Sequence, residues 1–181
     1  MACSRVVSSA IVRCPIGMLH ISACESGLHG IRLDESIVDE NFATLISKQQ
    51  SDSVFIHTKD TSNNDVLQDT FTWLQKYFSR EVPDKKPALC LPNENDCFMI
   101  KCWLKALEDV PFGKTVSYGQ LAEMAENPKA ARAVGQAMRK NKFVLLVPCH
   151  RVVRSDGSLG HYNAGKSDTV KRWLIDFEKN E

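Results

Sequence analysis

The sequence predicts an α+β protein. A small N-terminal antiparallel-sheet α/β domain spans residues 1–92, and a helical, helix-turn-helix-like domain spans residues 93–181. Three observations predict this. Short Val- and Ile-rich segments separated by Gly-containing turns fill the first thirty-odd residues. A Pro-marked stretch, Val82-Pro83 through Leu91-Pro92, then breaks the pattern. Beyond it, apolar residues recur at helical spacings.

In the first domain, the segments Arg5 to Arg13, Met18 to Ala23 and Leu28 to Leu33 read as strands. Pro15-Ile16-Gly17 and Glu25-Ser26-Gly27 supply the turns of an antiparallel meander. Residues 34–64 are polar and without sustained period, apart from the segment around Val54-Phe55-Ile56, and read mainly as loop. Leu67, Phe71, Leu74 and Phe78 recur every three or four positions and predict a helix over 66–78.

In the second domain, Cys97, Ile100, Leu104 and Leu107 share one face of a helix that ends before Pro111-Phe112-Gly113. Ser117-Tyr118-Gly119-Gln120 has the form of a capping box, opening a helix that carries Leu121, Met124 and Ala125 inward. Asn127-Pro128 predicts the cap of a further helix over 129–138. Two short helices on a tight link form a helix-turn-helix signature, although Ala-rich pairs also occur in ordinary helical packing. The small residues Ala130, Ala131, Ala133 and Gly135 would let the second helix approach a surface closely. The apolar run Phe143 to Val147 delivers the polar cluster Pro148-Cys149-His150-Arg151. Val170, Trp173, Leu174 and Phe177 mark a last helix.

Composition bounds the function. The chain has 181 residues, 43% hydrophobic and 25% charged, which excludes wholesale disorder. No apolar run approaches the ~20 residues that cross a bilayer, and the start lacks a secretory h-region, so a soluble intracellular protein is expected. Seven cysteines, an odd number without an export signal, argue for a reducing compartment rather than a disulfide scaffold. Residues 1–100 carry 9 Lys+Arg against 13 Asp+Glu, and residues 101–181 carry 14 against 9. A polyanionic partner would meet the second half.

Cys149 is the sharpest chemical candidate. A thiol nucleophile needs a proton acceptor and a stabilising positive field, and His150 and Arg151 follow it directly. Glu178 on the last helix is a candidate acceptor to orient the imidazole. An isolated Cys-His pair is more often a buried thiol beside a surface imidazole. A thiol hydrolase using Cys149, His150 and Glu178 is one further reading, and a DNA-binding lesion sensor without chemistry is another.

Val147-Pro148-Cys149-His150-Arg151-Val152 resembles the active-site signature of the O6-alkylguanine-DNA alkyltransferases, the methylated-DNA–protein-cysteine methyltransferases. Phe112-Gly113-Lys114-Thr115-Val116-Ser117-Tyr118 and Asn127 through Gly135 resemble that family's winged helix-turn-helix. Gly160-His161-Tyr162 resembles its substrate loop, and Pro15-Ile16-Gly17 with Cys24 through His29 resembles the N-terminal domain of the animal type. The resemblance implies DNA repair in a single turnover. A damaged guanine is flipped out of duplex DNA, and Cys149 takes the alkyl group from O6 irreversibly, without a catalytic cofactor. It implies that His150 deprotonates Cys149 through a water, that Glu178 holds His150, and that Asn141 orders the active-site turn. Tyr118 would donate to guanine N3. Arg132 would fill the space the base leaves, and Gly119, Asn127, Lys129, Arg139 and Ser155 would meet the DNA. Tyr118, Val152, Tyr162, Asn163 and Ala164 would wall the pocket. Asn163-Ala164 stands where many relatives have Ser-Gly, and Val144 where many have Pro, which predicts slow reaction with benzyl adducts. A structural zinc is implied in the first domain, and Cys3, Cys24, His29 and Cys90 are its candidate ligands, with Cys14 an alternative to Cys3. The implied partner is double-stranded DNA containing O6-alkylguanine, with no membrane, in a nuclear monomer.

Overall fold

The computed structural model describes residues 7–34, 55–57, 64–81, 85–91, 97–160 and 168–179. Cys3, Tyr162, Asn163 and Ala164 lie outside the described residues. The chain divides into two compact units, Met1–Pro92 and Asn93–Glu181.

The first unit holds an antiparallel sheet ordered β3-β2-β1-β4, from β1 (Ser8–Cys14), β2 (Gly17–Cys24), β3 (Gly27–Leu33) and β4 (Phe55–His57). Alternation decides the faces. Ala10, Val12 and Cys14 of β1 are buried, while Ser9 and Arg13 between them are exposed. Helix α1 (Asp65–Phe78) is capped by Asn64, whose Oδ1 accepts from Leu67 N at 3.1 Å. It buries the expected Leu67, Phe71, Leu74 and Phe78, with Trp73 and Tyr77 besides, against β2 and β3. The segment 88–90 runs alongside β3: Leu28 N donates to Ala88 O and Cys90 N to Leu28 O, both at 2.8 Å. Gly27 permits this approach, since a Cβ there would stand 2.7 Å from Cys90 N.

The second unit is helical: α2 (Phe98–Asp109), α3 (Tyr118–Met124), α4 (Ala131–Arg139) and α5 (Asp168–Lys179). Two short strands, β5 (Val116–Ser117) and β6 (Val152–Val153), pair in parallel. The buried face of α2 is Ile100, Cys102, Trp103 and Ala106, not the expected face, because Leu104 and Leu107 are only half-buried and Cys97 is the N-cap. Trp103 turns the helix: its Nε1 donates to Ala137 O at 2.8 Å, and its ring meets Phe143 edge-on. The Ser117–Gln120 capping box forms as expected. Helix α4, in contrast, starts at Ala131 rather than 129. Asn127 closes a separate turn, with Ala130 N donating to its carbonyl at 2.9 Å, before the helix begins. No helix among the described residues is long and apolar enough to cross a membrane.

Candidate active site

The apolar run 143–147 is buried but is not extended. Val147 N donates back to Phe143 O at 2.9 Å, and Leu145 takes a left-handed φ of 71°. This compact turn hands the chain to a single 3-10 turn, Cys149–Arg151. All three side chains of that turn are buried. The surface imidazole that a Cys-His pair usually implies is therefore absent: His150 is 0% exposed.

Asn141 ties the turn together. Its Nδ2 donates to Val147 O at 2.9 Å and to Cys149 Sγ at 3.1 Å, while its Oδ1 accepts from Phe143 N at 2.8 Å. One side chain thus spans both ends of the apolar turn and reaches the sulfur. Burial pushes the Cys149 thiol above its ordinary value, and the Asn141 hydrogen bond and the Lys171 charge pull it part of the way back. The resting sulfur is a thiol held among donors that favour its anion.

His150 and Glu178, 28 residues apart, meet at 2.7 Å between Nε2 and Oε1. Burial pushes His150 below the ordinary imidazole value, against the pull of Glu178. Its Nδ1 is buried and makes no hydrogen bond among the described residues, which leaves a lone pair to accept a proton. Burial alone would raise the Glu178 carboxyl, but hydrogen bonds and charge from His150 and Arg151 outweigh it and hold the group at about 2.

Two cations complete the site: Arg151, expected from the sequence as part of a positive field at Cys149, and Lys171, which the sequence left without a role. Arg151 forks onto Glu178, Nε to Oε2 at 2.8 Å and Nη2 to Oε1 at 2.9 Å. Lys171 of α5 is 0% exposed; its Nζ donates to Val152 O at 2.7 Å and lies 5.9 Å from the Tyr118 ring centre. Burial pushes Lys171 down to about 8, against the pull of Cys149 and Asp168. In the sequence, Lys171 is one of two adjacent helix charges and carries no signal of burial.

Tyr118 is half-buried at the start of α3, and Gly160 packs against it: a Cβ on Gly160 would stand 2.9 Å from the Tyr118 hydroxyl. Burial, then the nearby Cys149, raises the Tyr118 hydroxyl above its usual value, so it remains a donor at neutral pH. Arg139 and Arg154 act on the same hydroxyl with the opposite sign. Val152 is buried beside this cluster, and Gly119 is half-buried. Asn127, Lys129, Arg132, Arg139 and Ser155 are all exposed, as a polyanion interface needs.

The first unit holds a second cluster. The ligand atoms of Cys24, His29 and Cys90 all lie within 4.8 Å of one another. Cys14 is not in that group; it is buried at the β1–β2 turn, its Sγ donating to Gly17 O at 3.2 Å, and burial pushes it up to about 12. The alternative that placed Cys14 among the ligands is thus corrected by its position across the sheet.

Comparison with known proteins agrees with both units. Residues 7–84 match the family described as 6-O-methylguanine DNA methyltransferase, ribonuclease-like domain. Residues 98–180 match 6-O-methylguanine DNA methyltransferase, DNA binding domain. The chain is 41% identical over 173 residues to a methylated-DNA–protein-cysteine methyltransferase of Mus musculus, covering 93% of this chain and 80% of that protein. Among solved structures, it is similar to a Mycobacterium tuberculosis O6-methylguanine methyltransferase (31% identity, TM-score 0.69, covering 96% of this chain and 93% of that one). It is likewise similar to the M. tuberculosis OGT in complex with DNA (32% identity, TM-score 0.66, covering 93% and 91%).

Proposed function

The chain belongs to the methylated-DNA–protein-cysteine methyltransferase family, and from that membership we propose that it repairs DNA by moving an alkyl group from O6 of guanine onto Cys149. The observation that carries this reading is a buried thiol, hydrogen-bonded by Asn141, next to an imidazole whose Nδ1 has no hydrogen-bond partner among the described residues.

The proton moves first. His150 Nδ1 accepts it from Cys149 through a bridging water, with Nε2 fixed on Glu178. The sulfur then attacks the alkyl carbon in line, forming the C–S bond as the C–O6 bond breaks. The bonding pair leaves on the guanine, where Tyr118 donates a hydrogen bond and the proton finally returns. A thioether is a poor leaving group, so each molecule acts once. A stacked base offers no in-line path to a buried sulfur, so the guanine must first turn out of the duplex. Exposed Arg132 on α4 takes the place of the base, and Gly119, Asn127, Lys129, Arg139 and Ser155 hold the backbone. The minor groove suits the small residues of α4 and a function that needs no sequence preference.

Zinc is the group that Cys24, His29 and Cys90 would hold, with Cys3 as the candidate fourth ligand. The buried His29 Nε2, which has no hydrogen-bond partner among the described residues, and two thiols within reach fit it. When bound, it cross-links the β2–β3 turn to segment 88–90. Elemental analysis of freshly purified protein should give close to one zinc per chain, and a value near zero removes the site.

We further propose that the protein acts in the nucleus, as a monomer on duplex DNA. The direct test mixes the protein with a duplex carrying an isotopically labelled O6-methyl group. Mass spectrometry should find one methyl on Cys149, and Cys149→Ser should bind the duplex and take none. Label that stays on the DNA with folded wild-type protein overturns the reading, and turnover of an ester would favour a hydrolase.

A further inference from the structure

His150 must be held firmly without being charged, and an anion alone would hold it but charge it as well. A bare carboxylate 2.7 Å from an imidazole in a buried site orients it and also draws a proton onto it. A protonated His150 has no lone pair for the Cys149 proton.

Glu178 is not bare. Its Oε1 accepts from His150 Nε2 at 2.7 Å and from Arg151 Nη2 at 2.9 Å. Its Oε2 accepts from Arg151 Nε at 2.8 Å and from Gly113 N at 3.2 Å. The third guanidinium nitrogen, Nη1, donates to Val110 O at 2.7 Å, and the Phe112 ring covers the guanidinium with its centre 5.6 Å from Cζ. The fork is therefore anchored at both ends. The charged groups that act on His150 are Glu178 and Lys171 from α5 and Arg151 from its own turn. Two are cations and one is an anion.

We propose that Arg151 is a positioning residue for His150: by holding both oxygens of Glu178, it lets the carboxylate orient the imidazole while cancelling its charge, so that His150 rests as a neutral acceptor. The carboxylate keeps its lone pairs as hydrogen-bond acceptors. What it loses is its surplus attraction for a second positive charge. This differs from a carboxylate that faces its imidazole alone and stabilises the imidazolium. Burial is the largest cause that lowers His150, and Arg151 and Lys171 act in the same direction, against protonation.

The proposal rests on Cys149 as alkyl acceptor, and two measurements separate the claims. The first is the pH dependence of methyl transfer to Cys149 in the wild type, Arg151→Gln and Arg151→Lys. In Arg151→Gln the acid limb should move up by about 1–3 pH units, so that at a pH below both limbs transfer falls at least about tenfold below the wild type. Arg151→Lys keeps the charge but not the fork, so its acid limb should stay in place while its rate falls at every pH. An acid limb that is unmoved or lower in Arg151→Gln overturns the proposal.

The second is a nitrogen-15 NMR titration of His150 in the wild-type protein without DNA. It should report a neutral imidazole with its proton on Nε2 at about pH 7. An imidazolium there overturns the proposal even where Arg151→Gln does not fold. If the wild type takes no methyl at all, the proposed function falls, and the same titration in Arg151→Gln, where His150 should take up its proton at a higher pH than in the wild type, still tests the role of Arg151.

Discussion

Asn141 Nδ2 stands 3.1 Å from Cys149 Sγ, so the nucleophile is held by a side chain from eight residues earlier in the chain. The same nitrogen donates to Val147 O, and Asn141 Oδ1 accepts from Phe143 N. Asn141→Ala removes three hydrogen bonds at once and leaves Val147 O and Phe143 N to find other partners. Stability should fall by roughly 2 kcal/mol. Methyl transfer should slow by at least about tenfold, since the thiolate also loses its donor. Denaturant titration and a quenched time course check the two effects separately. An unchanged transfer rate would deny Asn141 its part in activating the sulfur.

Glu178 governs stability in acid. Its folded carboxyl titrates at about 2 against 4.5 ordinarily. The pair's contribution is fully present above about pH 4.5 and is lost as pH falls toward about 2. That gap corresponds to roughly 3 kcal/mol for the buried group. Glu178→Gln should lose this part of the acid dependence and be less stable at neutral pH, because Arg151 then lacks its anion. Urea titrations at several pH values compare the two slopes, and parallel slopes would argue against the assignment.

Lys171 gives the same sign of slope, at the alkaline end. Its ammonium is held at about 8 in the fold against 10.5 ordinarily. Unfolding therefore takes up a proton between those values, and the Lys171 contribution to stability rises with pH across that window. The stability difference between wild type and Lys171→Met should shift in favour of the wild type by up to about 3 kcal/mol over that range. Measuring the difference cancels the buried thiols Cys14 and Cys102, whose raised values, about 12 and about 11, oppose the trend. A difference that is flat with pH would mean that Lys171 keeps an ordinary affinity for its proton.

Arg132 is exposed on α4 and is assigned to the space vacated by the extruded base. Arg132→Ala should slow repair of a methylated duplex by tenfold or more, on the order of a few kcal/mol for holding one base unstacked. It should leave reaction with the free methylated base nearly unchanged. Equal slowing of both substrates would assign Arg132 to general DNA affinity instead.

What local pattern determines could be read directly from the residues. Alternation with Gly turns located β1, β2 and β3, because a strand's faces are set by period two. Ser117 and Gln120 announced α3, because a capping box is a local pair of hydrogen bonds. The Pro148-Cys149-His150-Arg151 run resembled the family's signature, and residues 98–180 match that family. Asn127-Pro128 misplaced the start of α4, since a turn and a helix begin with the same residues.

Only tertiary structure decided the rest. Lys171 sits beside Arg172 in the sequence, and one of the pair is wholly buried while the other is exposed. Cys90 reaches Cys24 and His29 because segment 88–90 pairs with β3 across a Cβ-less Gly27. Arg151 and Glu178, 27 positions apart, form a fork. Burial and long-range charge pairing depend on which chain segments meet in space, and no local period encodes that meeting.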